Sequence, residues 1–372
     1  MPTPAAPAFC QIGLTSEDER AWLAEMATFA VPEFPRNQVD KAGFILANPN
    51  AEMRDYMWAL HVINNWRAAH AFPLNNFTTN LRYKVKAVQA DVLIAQRIKR
   101  LESISAKLTR DQTATLQLSQ MQDIGGCRAI LKSSQNVVKL VESYKHSRFN
   151  HKLKSEKNYI LTPKSDGYRG YHLVYQYQSP SHESPYDRLR IEVQIRTTSQ
   201  HIWATAVEAV GAFTKQALKA AEGDQDWRRL FALMSNVIAS SEKSPSVPNT
   251  PSDIKQLRDE LDYLSNKLHA VHTLRAYRAA LNYVGELKER SSKYFLMHYD
   301  FALNKVLVTG FAANMSQAAN LAYTRAESNK KEGDNIVLVS VGSLKSLMRA
   351  YPNYFLDTHQ FTELLKQTLK AA

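Results

Sequence analysis

The sequence predicts an α+β fold in which a mixed central sheet is flanked by helices. Apolar residues recur at helical spacing before residue 110 and after residue 198, whereas four short segments between these regions are rich in β-branched and aromatic residues. This mixture is typical of a catalytic domain that combines helices with a sheet. The chain has 372 residues, of which 44% are hydrophobic, so we expect two domains with real cores.

The N-terminal part is predicted to be helical. We expect helices within residues 16–70, with Ser16 as the cap of the first. Core-like helical spacing is carried by Trp58, Val62 and Trp66. One further amphipathic helix is predicted from Asp91 to Leu108, and its apolar side carries Ile94, Ile98, Leu101, Ile104 and Leu108.

Strands and helices then alternate. Strands are predicted at Cys127 to Leu131, Asn158 to Leu161, Tyr171 to Tyr177 and Leu189 to Ile195, with helices at 134–147 and 198–221.

The last third of the chain is predicted to hold a linker, a long helix and a small α+β module. Residues 240–252 contain three prolines and five serines, which indicates a linker or an exposed loop. One helix is expected from Asp253 to Leu287. The module has predicted strands at 294–299, 305–309 and 336–341, a helix at 316–329, and helices beginning at Ser343 and Thr358.

The net charge of +12 is concentrated in one part of the chain. Between Arg82 and His172 there are eighteen Lys and Arg against seven Asp and Glu, a surplus of eleven. Such a basic region attracts polyphosphate or nucleic acid, although a solvated surface without a partner would carry the same charge.

Other classes of protein are disfavoured. The two cysteines, Cys10 and Cys127, form neither a disulfide framework nor a zinc site. No apolar run approaches the roughly 18 residues that span a bilayer. The N-terminus lacks the pattern of a secretion signal, so we expect a cytoplasmic protein without a membrane partner.

Two segments near residue 100 combine cations with a carboxylate. Arg97, Lys99, Ser103 and Lys107 lie on the predicted helix, and such a set suits a triphosphate because Arg donates in a fork and Lys supplies a point charge. Asp123 enters a turn beside two glycines and is a carboxylate of the kind that Mg²⁺ takes with phosphate oxygens. A solvated helix face and a turn-capping Asp would produce the same patterns.

The next two segments add an aromatic ring and a second carboxylate. The loop 157–172 displays cations around Tyr168, which suits stacking on a base with phosphates alongside. In the following strand, strict alternation places Glu192, Gln194 and Arg196 on one face. Glu192 is then a candidate base or metal ligand, whereas an exposed strand face with an ion pair is the structural alternative.

Together and in this order, the four segments resemble the RelA/SpoT synthetase domain over roughly residues 80 to 215. The matching elements are RxKxxxSIxxKL from Arg97, DIxGxR from Asp123, the Lys157 to His172 loop, and ExQIRT from Glu192. The resemblance implies transfer of the β,γ-pyrophosphate of ATP to a 3′-hydroxyl.

The resemblance also assigns roles to residues. It implies ATP binding by Arg97, Lys99, Ser103, Lys107 and Arg128, and acceptor binding by Lys157, Lys164, Tyr168, Arg169 and His172. Catalysis is assigned to Asp123, Glu192 and Gln194, with Mg²⁺ held by Asp123 and Glu192. One departure is that Glu208 is followed by Ala209, where the family has a histidine.

The wider chain resembles toxic small alarmone synthetases, most of all fused toxin–antitoxin proteins of the CapRel type. This likeness implies a synthetase domain at 1–245, a connecting helix at 253–290, and a C-terminal regulatory module at 291–372, zinc-finger-like but without metal. It further implies tRNA, at its 3′ CCA end, as the acceptor. The module would block the ATP site through Tyr351 and Tyr354 until phage major capsid protein binds, so that transfer inhibits translation as an anti-phage defence.

Two alternatives remain at this stage. The same chemistry would produce (p)ppGpp or (p)ppApp from a small nucleotide, and a catalytically inactive chain would bind RNA or sense a partner.

Overall fold

The computed structural model describes residues 29–110, 116–147, 150–216, 223–286, 292–300, 305–329, 331, 334–340 and 354–370. These begin with three consecutive helices, α1 (Arg36–Ala47), α2 (Met53–Ala69) and α3 (Ala71–Lys86). Val62 and Trp66 are buried as predicted, whereas Trp58 is only partly buried. Ser16 lies outside the described residues. None of the helices in the described ranges has the unbroken apolar length that a bilayer crossing requires.

A five-stranded mixed sheet follows, and it confirms the predicted α+β class. Its strands, in the spatial order β1-β2-β5-β4-β3, are β1 (Leu93–Ile98), β2 (Gly125–Leu131), β5 (Arg190–Thr197), β4 (Tyr171–Gln176) and β3 (Lys152–Asn158). β2 and β5 are parallel, and the other pairs are antiparallel. Helix α4 (Leu101–Arg110) follows β1, and α5 (Ser134–Lys145) connects β2 to β3.

The two faces of the sheet differ in polarity because side chains alternate along each strand. On β5, Ile191, Val193 and Ile195 are fully buried and pack in one core with the N-terminal helices. Glu192 and Gln194 therefore project from the opposite face. This second face carries the candidate site.

The helix predicted from Asp91 to Leu108 is wrong in its first half, because residues 93–98 form strand β1. Ile94 and Ile98 are four residues apart, a spacing that suits one face of a helix and one face of a strand equally. The antiparallel pairing of β1 with β2 decides between them. Arg97 and Lys99 consequently do not share a helix face with Ser103 and Lys107.

Two long helices, α6 (Thr198–Gln216) and α7 (Gly223–Ser241), follow the sheet and form a second core. The Pro- and Ser-rich segment after α7 is a loop, but it is attached to that helix rather than free. Asn236 donates to the carbonyl of Pro251 and accepts from the amide of Val247, whose side chain is buried. The expectation of an exposed linker is therefore wrong at Val247.

The single helix predicted from Asp253 to Leu287 is divided into α8 (Ile254–Lys267) and α9 (Ala270–Glu286). The break lies at His269, whose φ is +44°. A continuous helix of this length would extend about 50 Å and leave much of its leucine face uncovered. Folding back buries Leu261 and Leu274 in the second core.

In the residues that the structure describes, the C-terminal part contains a three-stranded antiparallel sheet and two helices, and the helix predicted from Ser343 begins outside them. Its elements are β6 (Ser292–Asp300), β7 (Lys305–Ala312), α10 (Ser316–Ser328), β8 (Asn335–Ser340) and α11 (Tyr354–Lys370). The side chains of Phe361 and Leu365 on α11 are buried in the second core, together with residues of α6 and α7. The predicted domain boundaries and the zinc-finger-like character of this part stay predictions.

The loop before β4 is fixed against α7. At Gly167, φ is +91°, and a Cβ there would lie only 2.9 Å from the Cβ of Ser235. The Ser235 hydroxyl donates to the Gly167 carbonyl at 2.6 Å. Neighbouring Arg169 is 2% exposed and donates to the carbonyls of Ile160 and Pro245. The prediction that Arg169 contacts the acceptor is therefore wrong, because its guanidinium is enclosed within the fold.

We predict that Arg169→Met lowers the free energy of unfolding by roughly 2 to 4 kcal/mol, because it leaves buried carbonyls without donors. Urea unfolding followed by circular dichroism measures this loss. Lys154→Met, on the exposed edge of β3, is the matched control and should stay within about 0.5 kcal/mol of wild type. Equal stability of the two variants would contradict the structural role of Arg169.

Candidate active site

A cavity of about 650 Å³ lies between the polar face of the sheet and helices α6 and α7. Seven of the predicted site residues line it: Lys107, Asp123, Lys157, Lys164, Tyr168, His172 and Glu192. Two more, Lys99 and Gln194, contact the lining residues Asp123 and Glu192, and Arg128 in turn contacts Gln194. The exposed Arg97, the partly exposed Ser103 and the buried Arg169 are not among the lining residues.

Asp123, immediately before β2, is held by two lysines. Its carboxylate oxygens lie 2.7 Å from Nζ of Lys99 and 3.0 Å from Nζ of Lys107. Burial by itself raises the pKa of the Asp123 carboxyl, but the charges and hydrogen bonds of Lys99 and Lys107 together lower it below its ordinary value. Asp123 is consequently ionised at neutral pH, and the ammonium groups of Lys99 and Lys107 lie beside it.

The register of the sheet places a row of polar side chains on the face of the cavity. Arg128 of β2, Gln194 of β5, His172 of β4 and Lys157 of β3 are direct partners across successive strands. Directly opposed residues share a face, so these four point the same way. Gly126 is the partner of Glu192 on β2, and a Cβ at this position would lie 3.6 Å from the Glu192 carbonyl oxygen.

Glu192 receives donors on both of its oxygens. His172 Nδ1 lies 2.8 Å from Oε1, and Gln194 Nε2 donates to Oε2 at 2.6 Å. Arg128 in turn donates twice to the Gln194 side-chain oxygen, at 3.0 and 2.8 Å, which fixes the orientation of that amide.

Burial raises the pKa of the Glu192 carboxyl, and the charge of Asp123 acts in the same direction. The hydrogen bond and charge of His172, together with the bond from Gln194, nevertheless lower this pKa below its ordinary value. A buried carboxylate is therefore kept ionised and oriented toward the cavity, as a proton acceptor requires.

Tyr168 extends the network from Glu192. Its hydroxyl lies 2.7 Å from Nε2 of His172, whose other ring nitrogen, Nδ1, faces Glu192, so the imidazole bridges the two side chains. Burial raises the pKa of the Tyr168 hydroxyl, which keeps it protonated. The Tyr168 ring packs edge-on against Tyr159 and Trp203, and Nζ of Lys164 lies 5.4 Å from its centroid. An aromatic ring with an adjacent cation suits a nucleobase followed by phosphate.

Asp123 and Glu192 are the carboxylates that fit a magnesium ion. Both supply hard oxygen ligands to one cavity, and Mg²⁺ is usually held by one or two carboxylates plus phosphate and water oxygens. In the described ranges, no group of three or more His, Cys, Asp or Glu side chains is arranged to hold a metal ion by itself. The donor set therefore suits a metal that arrives with a polyphosphate.

Several cavity residues were not predicted. They include Gln122, Tyr159, Trp203, Arg228 and Phe231. Arg228 and Phe231 come from α7, and nothing in their local sequence distinguishes them from an ordinary amphipathic helix. Trp203 and Glu208 lie on α6, five residues apart, and both line the cavity. Ala209, at the departure from the family pattern, is fully buried.

The blocking role predicted for Tyr351 and Tyr354 falls on side chains that the structure does not describe. Tyr351 lies outside the described residues, and Tyr354 is the first residue of α11. The blocking role of the tyrosines stays a prediction.

Arg196, expected beside Glu192 on the same face, is buried and bonded to His201 Nδ1.

Comparisons with known proteins agree with the resemblance found in the sequence. Residues 96–217 match the family model described as "Region found in RelA / SpoT proteins". Two proteins of Bacillus subtilis (strain 168) are similar: GTP pyrophosphokinase YjbM, 32% identical over 114 residues, and GTP pyrophosphokinase YwaC, 31% identical over 115 residues. The matches cover 30% and 29% of this chain, respectively, and 52% of each relative. The chain thus spans about half the length of these relatives.

Among solved structures, small alarmone synthetase 1 from Bacillus subtilis, bound to its product pppGpp, is 23% identical. The match covers 46% of this chain and 90% of that chain, with a TM-score of 0.36. The fold assignment accordingly depends on the strands and helices described above. Residues 96–217 of this chain are therefore similar to the region found in RelA/SpoT proteins.

Proposed function

We propose that the chain is a pyrophosphokinase that transfers the β,γ-pyrophosphate of ATP to the 3′-hydroxyl of a nucleotide or RNA end. The observation that carries this proposal is the continuous network from Tyr168 through His172 to Glu192, which shares one cavity with Asp123 and its lysines. The RelA/SpoT-type region and the names of the two similar pyrophosphokinases support the same chemistry.

In the proposed reaction, the 3′-oxygen of the acceptor forms a bond to the β-phosphorus of ATP. The bond between that phosphorus and the oxygen bridging to the α-phosphate breaks, and AMP leaves. Glu192 accepts the proton of the attacking hydroxyl, since it is ionised and oriented by His172 and Gln194. Tyr168 stacks on the acceptor base and thereby places the hydroxyl in line.

The donor triphosphate would be neutralised by Lys99 and Lys107. In the ligand-free arrangement these lysines bond to Asp123, so an arriving polyphosphate exchanges one set of anionic oxygens for another. A magnesium ion held by Asp123 and Glu192 would supply further neutralisation of the triphosphate. Transfer of this kind depends on charge neutralisation and alignment more than on covalent assistance.

We infer the 3′ CCA end of tRNA as the acceptor from the resemblance to fused toxin–antitoxin proteins of the CapRel type, and the basic surplus agrees, because an RNA backbone needs more cationic surface than a single nucleotide does. Lys157 and Lys164 are exposed at the cavity and extend its cationic surface outward. A guanosine or adenosine nucleotide is the second candidate, and the two Bacillus relatives are named as GTP pyrophosphokinases. The third candidate, an inactive RNA-binding or sensor protein, would have no need of an ionised Glu192.

Labelled ATP offered with deacylated tRNA, GDP, GTP and AMP separates these candidates. Label on tRNA alone supports the tRNA acceptor, and label on a small nucleotide supports an alarmone synthetase. The absence of transfer to every acceptor by the full-length protein, both alone and with added phage major capsid protein, would contradict the enzymatic proposal.

The regulatory part of the proposal concerns residues 291–372. We propose that they restrain the enzyme through Tyr351 and Tyr354, and that phage major capsid protein releases it to stop translation. Support for this part is the resemblance of the whole chain to fused toxin–antitoxin proteins. Growth of cells that express the protein, with and without a coexpressed capsid protein, tests it.

We predict that Glu192→Gln lowers the rate of transfer at least about 100-fold, because the isosteric amide cannot accept the proton. Initial rates with saturating ATP measure the effect. Glu156→Gln is the matched control. Glu156 lies on the exposed edge strand β3, pairs with Lys145 of α5, and does not line the cavity. A Glu192→Gln rate close to that of the control would refute the role of Glu192 as base.

We predict that His172→Ala moves the acid limb of the pH profile of kcat/KM to higher pH. Without His172, burial prevails and the pKa of Glu192 rises, so the base becomes protonated, and activity is lost, at a higher pH than in wild type. Tyr168→Phe is the control, because it removes the other hydrogen bond of His172 and leaves the Glu192 contact intact. An acid limb that stays in place in His172→Ala would contradict this assignment.

A further inference from the structure

The C-terminal helix α11 packs directly behind one side of the cavity. Phe361 of α11 is fully buried, and its ring centroid lies 5.4 Å from that of Phe231. Phe231 is itself a lining residue of the cavity. A residue near the end of the chain therefore supports a side chain of the candidate active site.

Ring contacts continue from Phe231 to the acceptor side of the cavity. Phe231 packs edge-on against Trp203 at 6.2 Å, and the Trp203 indole N–H donates to the Phe231 carbonyl at 2.7 Å. Trp203 in turn contacts the Tyr168 ring at 6.4 Å. Four aromatic side chains thus form a contiguous series from α11 to the residue proposed to stack on the acceptor base.

We propose that Phe361 is a positioning residue for Tyr168, acting through Phe231 and Trp203. The inference rests on the proposed function only for the role of Tyr168 in acceptor binding. Protein interiors are close-packed, so a void left by Phe361 lets Phe231 move back and relaxes the Trp203 edge against Tyr168. Aromatic pairs of this kind have preferred geometries, which makes the series stiff.

This proposal gives the C-terminal segment a second role. A segment that only blocked the cavity would increase activity when weakened. If α11 instead supports the acceptor side of the cavity, shortening Phe361 weakens acceptor binding. This loss would be seen even in a chain whose active site is no longer blocked.

The first test uses NMR of the full-length chain without substrate. In Phe361→Ala the Trp203 indole N–H should exchange with solvent at least about tenfold faster than in wild type, and the Tyr168 ring signals should shift. Leu365→Ala is the matched control, because Leu365 is equally buried on α11 but is not part of the ring series. Phe361→Leu, which keeps most of the apolar volume, should give an intermediate result and serves if the alanine variant does not fold.

The second test measures transfer kinetics with the acceptor that wild type labels. Phe361→Leu should raise KM for the acceptor several-fold while kcat and KM for ATP change less than about twofold, because acceptor placement is affected before chemistry. Combining Phe361→Leu with Phe231→Leu should add little, since both act through one contact.

Equal exchange rates in Phe361→Ala and Leu365→Ala, or a lowered KM in Phe361→Leu, would overturn the proposal. The NMR result does not depend on any transfer. A chain without pyrophosphokinase activity would therefore remove the proposed function while leaving the coupling of Phe361 to Tyr168 measurable.

Discussion

The site depends on keeping one buried carboxylate charged. Glu192 lies on a sheet face enclosed by helices, where desolvation favours its neutral form. His172 and Gln194 offset that cost with one hydrogen bond to each oxygen, and Arg128 fixes Gln194 in turn. Because these residues come from three adjacent strands, the register of the sheet is what supplies the donors. If one of these strand pairings shifted by one residue, the donor on the shifted strand would point toward the apolar core.

The carboxylate of Asp123 is also kept charged, but by ion pairs instead of neutral donors. Its carboxylate lies between two lysines from the segment around α4, so this cluster carries two positive charges against one negative charge. Such an arrangement is preorganised for a polyphosphate, because anionic oxygens and a divalent cation can replace the existing partners without leaving a charge unpaired. The cavity then joins two electrostatic units, Asp123 with its lysines and Glu192 with its donors.

Side chains whose orientation follows from a local pattern were predictable from the sequence. The alternation of Ile191, Val193 and Ile195 predicted which way Glu192 and Gln194 point, and the structure agrees. The helix expected at Arg97 failed because a spacing of four residues fits both helix and strand, and only pairing with β2 decides.

Long-range contacts explain the remaining differences. Arg169 stands in a cationic loop, but its partners are carbonyls of Ile160 and Pro245, the latter beyond α7. Phe231 joins the cavity by the packing of α7, which no local pattern specifies. Distant backbone groups and helix packing are set by the whole fold, so their effect on single side chains could not be read from motifs.

The most direct measurement of the central claim is a crystal structure grown with Mn²⁺ and a non-hydrolysable ATP analogue. The account predicts anomalous density for the metal in contact with Asp123 and Glu192, with the triphosphate beside Lys99 and Lys107. A nucleotide bound outside this cavity, or a metal that contacts neither carboxylate, would contradict it.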